Sequence, residues 1–396
     1  MESYRKLDED LFYVGFSDRR IELFENLYPV PEGVSYNSYL LLDKKTALFD
    51  TVDHSVSEKF ILSVKELLGK RKLDYLIVNH VEPDHSATIK EILMAYPNAK
   101  VVCTKQAKIL IEQFFDLNLT EKHFDIDANP ELVLGSHTLT FAKTPMVHWP
   151  EVMVTFDKLT GTLFSADAFG SFGALSGDIY ADDIVFDAEI KEMYRRYYAN
   201  IVGKFGNFVQ NALSSLAKLG IKRICPLHGR IWRKNLGELI SLYDKWSKYE
   251  AEEQGVVIAY ASIYGNTEFA CNVLANELAC HGVKVKMFDV SKTDSSYILS
   301  TIMKYDRIVF ASVTHNLNIF PKMEDLLNEV VQHNIQNKTF AIIENGSWAP
   351  TAGGQMKNKL LALKNNNFIE TSLTIKSALK NEQLEVIKKI SDELAR

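Results

Sequence analysis

The stretch LDYLIVNHVEPDH, residues 73–85, places four ionisable side chains directly after a short apolar run. Residues 73–78 have the length and composition of a buried strand. The loop that follows carries His80, Glu82, Asp84 and His85. Burying such groups together is costly unless a cation compensates their charge. The stretch therefore predicts a metal site on a loop that leaves a core strand, and a polar loop in water is the alternative.

Other acids and histidines also end or follow predicted strands in the first 230 residues. They are His148 in TPMVHWPE, Asp167 in LFSADAFG, His228 in CPLHGR and Asp50 in LFDTVD. Asp50 is expected to orient a ligand histidine. The remaining set of seven could hold two metal ions, and its mixture of imidazoles and carboxylates suits iron, manganese or zinc. The histidines outside this candidate ligand set are expected to be ordinary surface or core residues. They are His54, His123, His137, His281 and His333.

The composition excludes several classes of protein. The 396 residues carry a formal net charge of -6, which gives no electrostatic reason to expect nucleic acid or an anionic membrane as a partner. The N-terminal residues lack the apolar segment of a signal peptide, and no apolar run is long enough for a spanning helix. The four cysteines are far apart, so neither a disulfide framework nor a zinc knuckle is expected. These features predict a cytoplasmic protein.

The predicted pattern of strands and helices changes near residue 255. The first part reads as strands with fewer helices, including a hairpin that turns at Thr160-Gly161 and one long helix over residues 189–219. Residues 244–255 predict the end of a helix and a linker. Beyond them, five strand candidates alternate with helical segments, which predicts a doubly wound parallel sheet. The candidates are VVIAYAS, VKVKMFDV, RIVFASVT, KTFAIIEN and FIETSLTIK.

The segment ASIYGNTE, residues 261–268, resembles the T-x-T-G-x-T phosphate loop of flavodoxins, with serine and tyrosine substitutions. Its hydroxyls and backbone N–H groups at a helix N-terminus suit a phosphate. Loops 312–321 and 344–353 follow the third and fourth strands, where this topology places a flavin ring. Trp348 is expected to stack on that ring, and a partly buried packing tryptophan is the alternative. The candidate contacts to FMN are Ser262, Ile263, Tyr264, Gly265, Asn266, Thr267, Thr314, His315, Asn316, Leu317, Asn318, Asn345, Gly346, Ser347, Trp348 and Ala349.

The whole chain resembles the flavodiiron proteins. The H-x-H-x-D-H motif of metallo-β-lactamase-like domains reads H-x-E-x-D-H at residues 80–85, and the later ligands follow with 62, 18 and 60 residues between successive positions. The resemblance implies an α/β chain with two domains. Residues 1–250 would form a metallo-β-lactamase-like αββα sandwich, and residues 255–396 a flavodoxin-like doubly wound parallel sheet.

The resemblance also implies the ligand set and the activity. His80, Glu82 and His148 would bind one iron, Asp84, His85 and His228 the other, and Asp167 would bridge the two. Electrons from an external carrier, rubredoxin or a reduced deazaflavin, would pass through FMN to the di-iron site. There they would reduce dioxygen to water, nitric oxide to nitrous oxide, or both. A head-to-tail homodimer, or a dimer of such dimers, would bring the flavin of one subunit to the irons of its partner.

Two other functions fit parts of this pattern. The first is a binuclear zinc hydrolase with a regulatory flavodoxin-like module, against which the glutamate at position 82 and the matching intervals count. The second is a flavodoxin-like electron carrier whose N-terminal domain is only a scaffold, which requires the metal set to be accidental. Metal content and dioxygen consumption distinguish the three.

Overall fold

The computed structural model describes residues 4–396. The chain divides into two compact units. The first comprises the chain up to Tyr197 together with Asn207–Asp244, and the second comprises Tyr198–Gly206 together with Lys245–Arg396. None of the helices in the described part of the chain is both long and apolar enough to span a bilayer.

The first unit contains two large sheets and two small ribbons. The strands of the seven-stranded sheet, in spatial order, are Arg5–Lys6, Leu11–Tyr13, Tyr39–Leu42, Thr46–Phe49, Tyr75–Ile77, Lys100–Cys103 and His123–Asp125. The strands of the five-stranded sheet are Glu131–Val133, Thr138–Lys143, Met153–Asp157, Thr162–Phe164 and Arg223–Cys225. The ribbons pair Phe16–Asp18 with Val34–Tyr36 and Leu23–Phe24 with Tyr28–Pro29.

The two large sheets pack face to face. Their shared core contains apolar residues from both, and the rings of Phe49 and Phe164 stack across it with centroids 3.8 Å apart. The predicted hairpin is confirmed, because Met153–Asp157 pairs antiparallel with Thr162–Phe164 and Gly161 takes the left-handed conformation at the turn. The helices supply no residue to this inter-sheet core, which leaves them on the outer faces and gives the predicted αββα sandwich. They are Ser57–Leu68, Pro83–Ser86, Ile89–Ala95, Lys105–Phe115, Ala188–Tyr197, Gly206–Leu216 and Leu236–Ser247.

The prediction of one helix over residues 189–219 is wrong. A π-helical turn, Tyr198–Val202, and a 3-10 turn, Gly203–Phe205, separate two α-helices. Gly203 inside this segment and Gly206 directly after it weaken the helix. A Cβ on Gly206 would lie 2.3 Å from the carbonyl oxygen of Ser247, so the close approach of the backbone requires glycine there. The apolar periodicity runs through the break, which is why the pattern did not reveal it.

The second unit is the predicted doubly wound sheet, with parallel strands in the order 2-1-3-4-5. The first four strands are Glu253–Ala261, Val285–Asp289, Tyr305–His315 and Thr339–Asn345. The fifth, predicted as one strand, is split into Asn367–Phe368 and Leu373–Ile375, and Asn318–Ile319 adds an antiparallel pair to the third. The helices are Asn266–Cys280, Ser295–Lys304, Pro321–Gln332, Ala352–Leu360 and Leu384–Ala395.

The predicted linker before this sheet is short. Helix Leu236–Ser247 and strand Glu253–Ala261 are separated by residues 248–252 alone. The charged residues at 244–247 belong to the helix, and the strand begins before the expected position, with a register shift between Glu253 and Val256. Because the strands of the second unit are parallel, the loops at their carboxyl ends gather along one edge of the sheet.

Candidate metal centre and flavin pocket

All seven predicted metal ligands come together in the first unit, on loops that follow its strands. Strand Tyr75–Ile77 leads into the loop and short helix that carry residues 80–85. His148 lies between two strands of the second sheet, and Asp167 and His228 follow the strands Thr162–Phe164 and Arg223–Cys225. A backbone bond from Thr51 N–H to the carbonyl of His85, 2.8 Å long, fixes the short helix to the end of a neighbouring strand.

The first group of candidate ligands consists of His80, Glu82, His148 and one oxygen of Asp167. The Nε2 atom of His148 lies 3.0 Å from Glu82 Oε2 and 3.1 Å from Asp167 Oδ2. The Nε2 atom of His80 lies 3.2 Å from the same Glu82 oxygen and 3.8 Å from the same Asp167 oxygen. Two imidazole nitrogens and two carboxylate oxygens therefore point at one small volume.

The second group consists of Asp84, His85 and His228. The Nε2 atoms of the two histidines are 2.9 Å apart, and both lie close to Asp84 Oδ2, at 3.3 Å for His85 and 3.2 Å for His228. The other oxygen of Asp167, Oδ1, lies 3.1 Å from His85 Nε2. The Asp167 carboxylate thus has one oxygen towards each group, which is the geometry of a bridging ligand.

The second group is poorly satisfied by the protein alone. Both carboxylate oxygens of Asp84 and the Oδ1 atom of Asp167 are buried and have no hydrogen-bond partner within residues 4–396. His228 uses Nδ1 to donate to the carbonyl of Ser35, 2.7 Å away, so its Nε2 carries a lone pair that faces His85. Buried acceptors that converge without donors fit a cation. The residues therefore fit two metal ions that share one carboxylate.

Burial and mutual proximity perturb the pKa values of these groups. Burial raises the pKa of the Asp84 carboxyl to about 7, against the attraction of His85 and with the help of the Glu82 charge. Burial opposes the protonation of His148, but its hydrogen bonds to Asp167 and Glu82 raise its pKa to about 9. Burial lowers the pKa of His228. In the first group, the carboxylates and the imidazoles balance each other's charge. The second group keeps an excess of acceptors that have no donor.

A residue missed in the sequence holds the His80 imidazole. The Oε1 atom of Glu151 accepts from His80 Nδ1 at 2.8 Å and from the backbone N–H of Val81 at 3.0 Å. Asp50, predicted to orient a ligand histidine, accepts from the backbone N–H of Asn79 and of His80, at 2.7 and 3.2 Å. It therefore contacts the ligand histidine His80, through its backbone rather than its imidazole. The signal for Glu151 was its place three residues after His148 in HWPE.

Aromatic rings surround the second group. The rings of Phe24, Tyr36 and Tyr197 have their centroids 5.4, 5.9 and 5.5 Å from that of His228. The buried hydroxyl of Tyr197 has no hydrogen-bond partner in the described part of the chain. On the side of the first group, Trp149 lies 5.4 Å from His80. These rings exclude water from one side of the candidate ligands.

The histidines predicted to be ordinary belong to neither ligand group. The most buried of them, His137, is held between two carboxylates of the first unit. Its Nδ1 lies 2.9 Å from Asp157 Oδ2, and its Nε2 lies 2.8 Å from Asp10 Oδ2. The bond to Asp157, opposed by burial and helped by Asp10, raises the pKa of His137 to about 9.

The second unit contains a cavity of about 560 Å³ at the carboxyl edge of its sheet. Of the predicted flavin contacts, all except Gly265 and Asn318 line it. Val313 and Ser377 line it as well and were missed, although Ser377 follows the fifth strand and so lies at the same edge. The volume lies within the range of cofactor sites.

Hydrogen bonds join the loops around this cavity. Thr314 Oγ1 accepts from the backbone N–H groups of Thr351 and Ala352, at 3.0 and 3.2 Å. The side-chain amide of Asn345 donates to Ser377 O at 3.0 Å and lies 3.3 Å from Thr267 Oγ1. The segment at the end of the fourth strand is therefore linked to those at the ends of the first, third and fifth strands.

Gly265 shapes the cavity without lining it. Its φ of 87° lies in the left-handed region immediately before helix Asn266–Cys280, and its N–H donates to Ser262 Oγ at 3.1 Å. This turn directs the helix N-terminus, with its hydroxyl and amide groups, into the cavity, as a phosphate requires. The aromatic residues at the rim are open to solvent, with Tyr264 91% and Trp348 88% exposed. The alternative of a packing tryptophan is therefore wrong, and the residues fit an FMN whose ring meets exposed aromatic faces.

The two units match two known domain families. Residues 34–229 match the family described as ODP family beta lactamase, and residues 258–388 match flavodoxin. Fold and site together define a two-domain oxidoreductase with a flavin pocket and a binuclear metal centre.

Comparisons of the full chain identify the family. A nitric oxide reductase of Moorella thermoacetica is 32% identical over 96% of this chain and 95% of its own. The solved structure of a rubredoxin oxygen:oxidoreductase from Desulfovibrio gigas is 27% identical, with a TM-score of 0.94 over 99% of this chain and 98% of that one. The flavodiiron protein of Giardia intestinalis is 25% identical, with a TM-score of 0.92 over 99% and 96%. The chain belongs to the flavodiiron protein family.

Proposed function

We propose that the protein reduces dioxygen to water, nitric oxide to nitrous oxide, or both, at a di-iron site supplied with electrons through FMN. The observation that carries the proposal is the Asp167 carboxylate, whose two oxygens face two separate groups of buried ligands. Relatives that match nearly the full chain bear the names nitric oxide reductase and rubredoxin oxygen:oxidoreductase. The zinc hydrolase alternative is not favoured by these relatives.

The proposed ligand assignment follows the two groups. His80, Glu82 and His148 would hold one iron, and Asp84, His85 and His228 the other. Asp167 would bridge them. When bound, the two irons supply the electrons that a small diatomic gas accepts. Carboxylates support this chemistry because anionic oxygen ligands stabilise the oxidised metal.

The protein contributes positioning and a dry site. Ser35 fixes His228 with Nε2 as the ligand atom, and Glu151 does the same for His80. The aromatic rings around His228 keep water from one side of the site, which strengthens the electrostatic interactions within it. Each group offers fewer than six protein ligands, so a bound iron would have room for a small substrate.

We propose that FMN occupies the cavity of the second unit, with its phosphate at residues 262–267 and its ring near Trp348. The rim is open, so an external carrier can approach the flavin. Rubredoxin is the proposed donor, and a reduced deazaflavin is the alternative. The proposed active form is a cytoplasmic head-to-tail homodimer, alone or paired with a second dimer, in which the flavin of one subunit serves the irons of its partner.

The test combines composition with turnover. The purified protein, reconstituted with FMN and ferrous iron, is expected to hold two irons and one FMN per chain and to consume dioxygen or nitric oxide over many turnovers with reduced rubredoxin. The zinc-loaded protein is the matched control and is expected to consume no nitric oxide, and to consume dioxygen only slowly through direct oxidation of the reduced flavin. Equal gas consumption by both forms, or hydrolase activity in the zinc form, would contradict the proposal.

The dimer has its own test. Sedimentation analysis across a dilution series is compared with turnover per chain at the same concentrations. Turnover per chain is expected to fall as the dimer dissociates. Full turnover by a monomer would refute the exchange of electrons between subunits.

A further inference from the structure

A small cavity in the first unit lies against the loops that carry His148 and Asp167. We call it the helix-side cavity, because the helix Gly206–Leu216 forms one of its walls. The residues that line it are Thr144, Val147, Val154, Ala168, Phe169, Val209, Ala212, Leu213, Leu216 and Tyr243. Val147 directly precedes His148, and Ala168 directly follows Asp167. The cavity is therefore in contact with the segments that position two candidate iron ligands.

The helix-side cavity is the size of one small molecule. The space open to the centre of a water-sized sphere is about 10 Å³, which corresponds to a single water. A cofactor or an organic substrate is far too large for it. A single water or a single diatomic molecule fits.

Its chemistry disfavours water. A buried water is held by two to four polar partners. The lining contains two hydroxyl groups, and that of Tyr243 already accepts from the N–H of Phe169 at 2.6 Å. The hydroxyl of Thr144 is buried and has no partner within residues 4–396. All other lining side chains are apolar, so a water would have at most these two hydroxyls as side-chain partners, the lower end of the usual range, while most of the lining suits an apolar molecule.

The helix wall of the cavity lies partly at the surface. Val209, Ala212, Leu213 and Leu216 recur at the spacing of one helix face. Val209 and Leu216 are buried, whereas Ala212 and Leu213 are half-buried. One side of the helix-side cavity thus lies close to solvent, and another lies against the ligand loops.

We propose that the helix-side cavity binds one molecule of a small apolar gas and holds it beside the metal centre. This inference rests on the proposed function, since dioxygen and nitric oxide are small molecules that partition into apolar surroundings. The cavity raises the local concentration of the gas and so lowers the gas concentration at which turnover is half-maximal. It takes no part in the chemical step.

Xenon tests the site without turnover. Crystals of the wild-type protein pressurised with xenon are expected to show a xenon atom among Val147, Ala168 and Leu213. Ordered water there under xenon pressure, or xenon absent from this position, overturns the proposal. Wild-type gas consumption is the separate readout of the proposed function, so a failed xenon experiment with intact turnover refutes this inference alone.

A matched pair of variants tests delivery. Ala212→Leu fills the helix-side cavity, and Ala217→Leu makes the same change at an exposed position just beyond the same helix. The first is expected to lose the xenon atom and to raise the KM for the gas at least about threefold with kcat unchanged. The second is expected to match the wild type. An unchanged KM in Ala212→Leu overturns the delivery role.

A second variant guards against misfolding of the first. Thr144→Val replaces the unpaired hydroxyl by a methyl group of similar shape, so the fold is retained and water loses its partner. Xenon occupancy is expected to rise or to stay at the wild-type level. A fall in occupancy contradicts an apolar binding site.

Discussion

The metal centre and the flavin pocket are built in opposite ways. The candidate iron ligands are buried or largely buried, come from four separate loops and face one another at 2.9–3.9 Å. The flavin pocket is an open cavity whose rim includes side chains that are almost fully exposed. The first site is a set of ionisable side chains that converge on two points, whereas the second is a shaped opening with polar groups at one end.

This difference predicts different responses to substitution. A buried ligand set is cooperative, because removing one member leaves its partners unpaired in a medium of low polarity. The flavin contacts are numerous and partly solvated, so the remaining contacts and water compensate in part when one contact is removed. We therefore expect large effects in the first unit and small effects in the second.

The largest effect is expected for Asp167→Asn. Replacing the carboxylate removes the group that faces both ligand sets, so iron content should fall below two per chain and turnover by at least about 100-fold, more than the loss of an outer partner costs. Iron analysis and gas consumption measure the two effects. Asp116→Asn, an exposed left-handed position, is the control. Two irons and full turnover in D167N would remove Asp167 from its bridging role.

Glu151→Gln changes a residue that contacts the candidate ligand His80 rather than the metal itself. The neutral amide of glutamine holds the His80 imidazole less firmly than the carboxylate does and no longer raises the basicity of its Nε2 atom. Iron affinity should therefore fall about 10- to 100-fold, while FMN binding is unchanged. Competition with an iron chelator provides the affinity. Glu131→Gln removes an exposed ion pair with Lys158 and serves as control. Equal iron affinity in the two variants would show that Glu151 supports only the fold.

His137 shows what a buried histidine does when its charge is balanced without a metal. Its folded pKa, about 9, lies above the ordinary value of 6.5. The stabilisation is thus complete below pH 6.5 and is lost as the pH rises through 9. Because Asp10 is partly exposed, solvent screens the pair, and His137→Gln should cost about 1–2 kcal/mol in the acidic range.

Urea unfolding at a series of pH values measures this effect. The difference between wild type and H137Q is expected to shrink as the pH rises through 9. His54→Gln, at an exposed histidine, is expected to match the wild type throughout. A difference that does not depend on pH would mean that His137 stabilises by packing rather than by charge.

The smallest effect is expected at the flavin turn. Gly265→Ala places a side chain at a φ of 87°, a strain of about 1 kcal/mol, which should weaken FMN binding roughly fivefold. Gly282→Ala imposes similar strain at the other end of the same helix, where φ is 73°. FMN titration of the apoprotein compares the two. Equal weakening of FMN binding in the two variants would show that the helix responds as a whole. A loss of FMN affinity as large as the loss of turnover expected for D167N would contradict the expected difference between the two sites.

Much of the fold and of both sites could be predicted from the sequence. The metal ligands follow strands, so strand ends and residue chemistry were sufficient to place His148, Asp167 and His228 beside residues 80–85. The flavin loops were found in the same way, because parallel strands expose their carboxyl ends along one edge. In both cases a local pattern and a topological rule pointed to the same residues.

What was missed depends on contacts that no local pattern encodes. Glu151 lies in a motif already noted for His148, yet its partner is His80, 71 residues away in the chain. The apolar periodicity continues through the break at residues 198–205, so the local pattern does not show it. The residues that replace the lost helical contacts belong to other segments of the chain. Ser377 directly follows the predicted fifth strand, but only the loops after the first, third and fourth strands were taken as flavin contacts.

The discontinuous make-up of the two units has a consequence for how the chain is synthesised. Residues 198–206 emerge from the ribosome before the last part of the first unit, but they belong to the second. There, Asn200 donates to the carbonyl of Ser296 at 3.2 Å, and its own carbonyl accepts from His333. This segment must therefore wait, without its final partners, until the nascent chain has passed His333. A C-terminal fragment that starts at Lys245 lacks the segment, and grafting the flavin-binding half onto another protein requires that it be supplied.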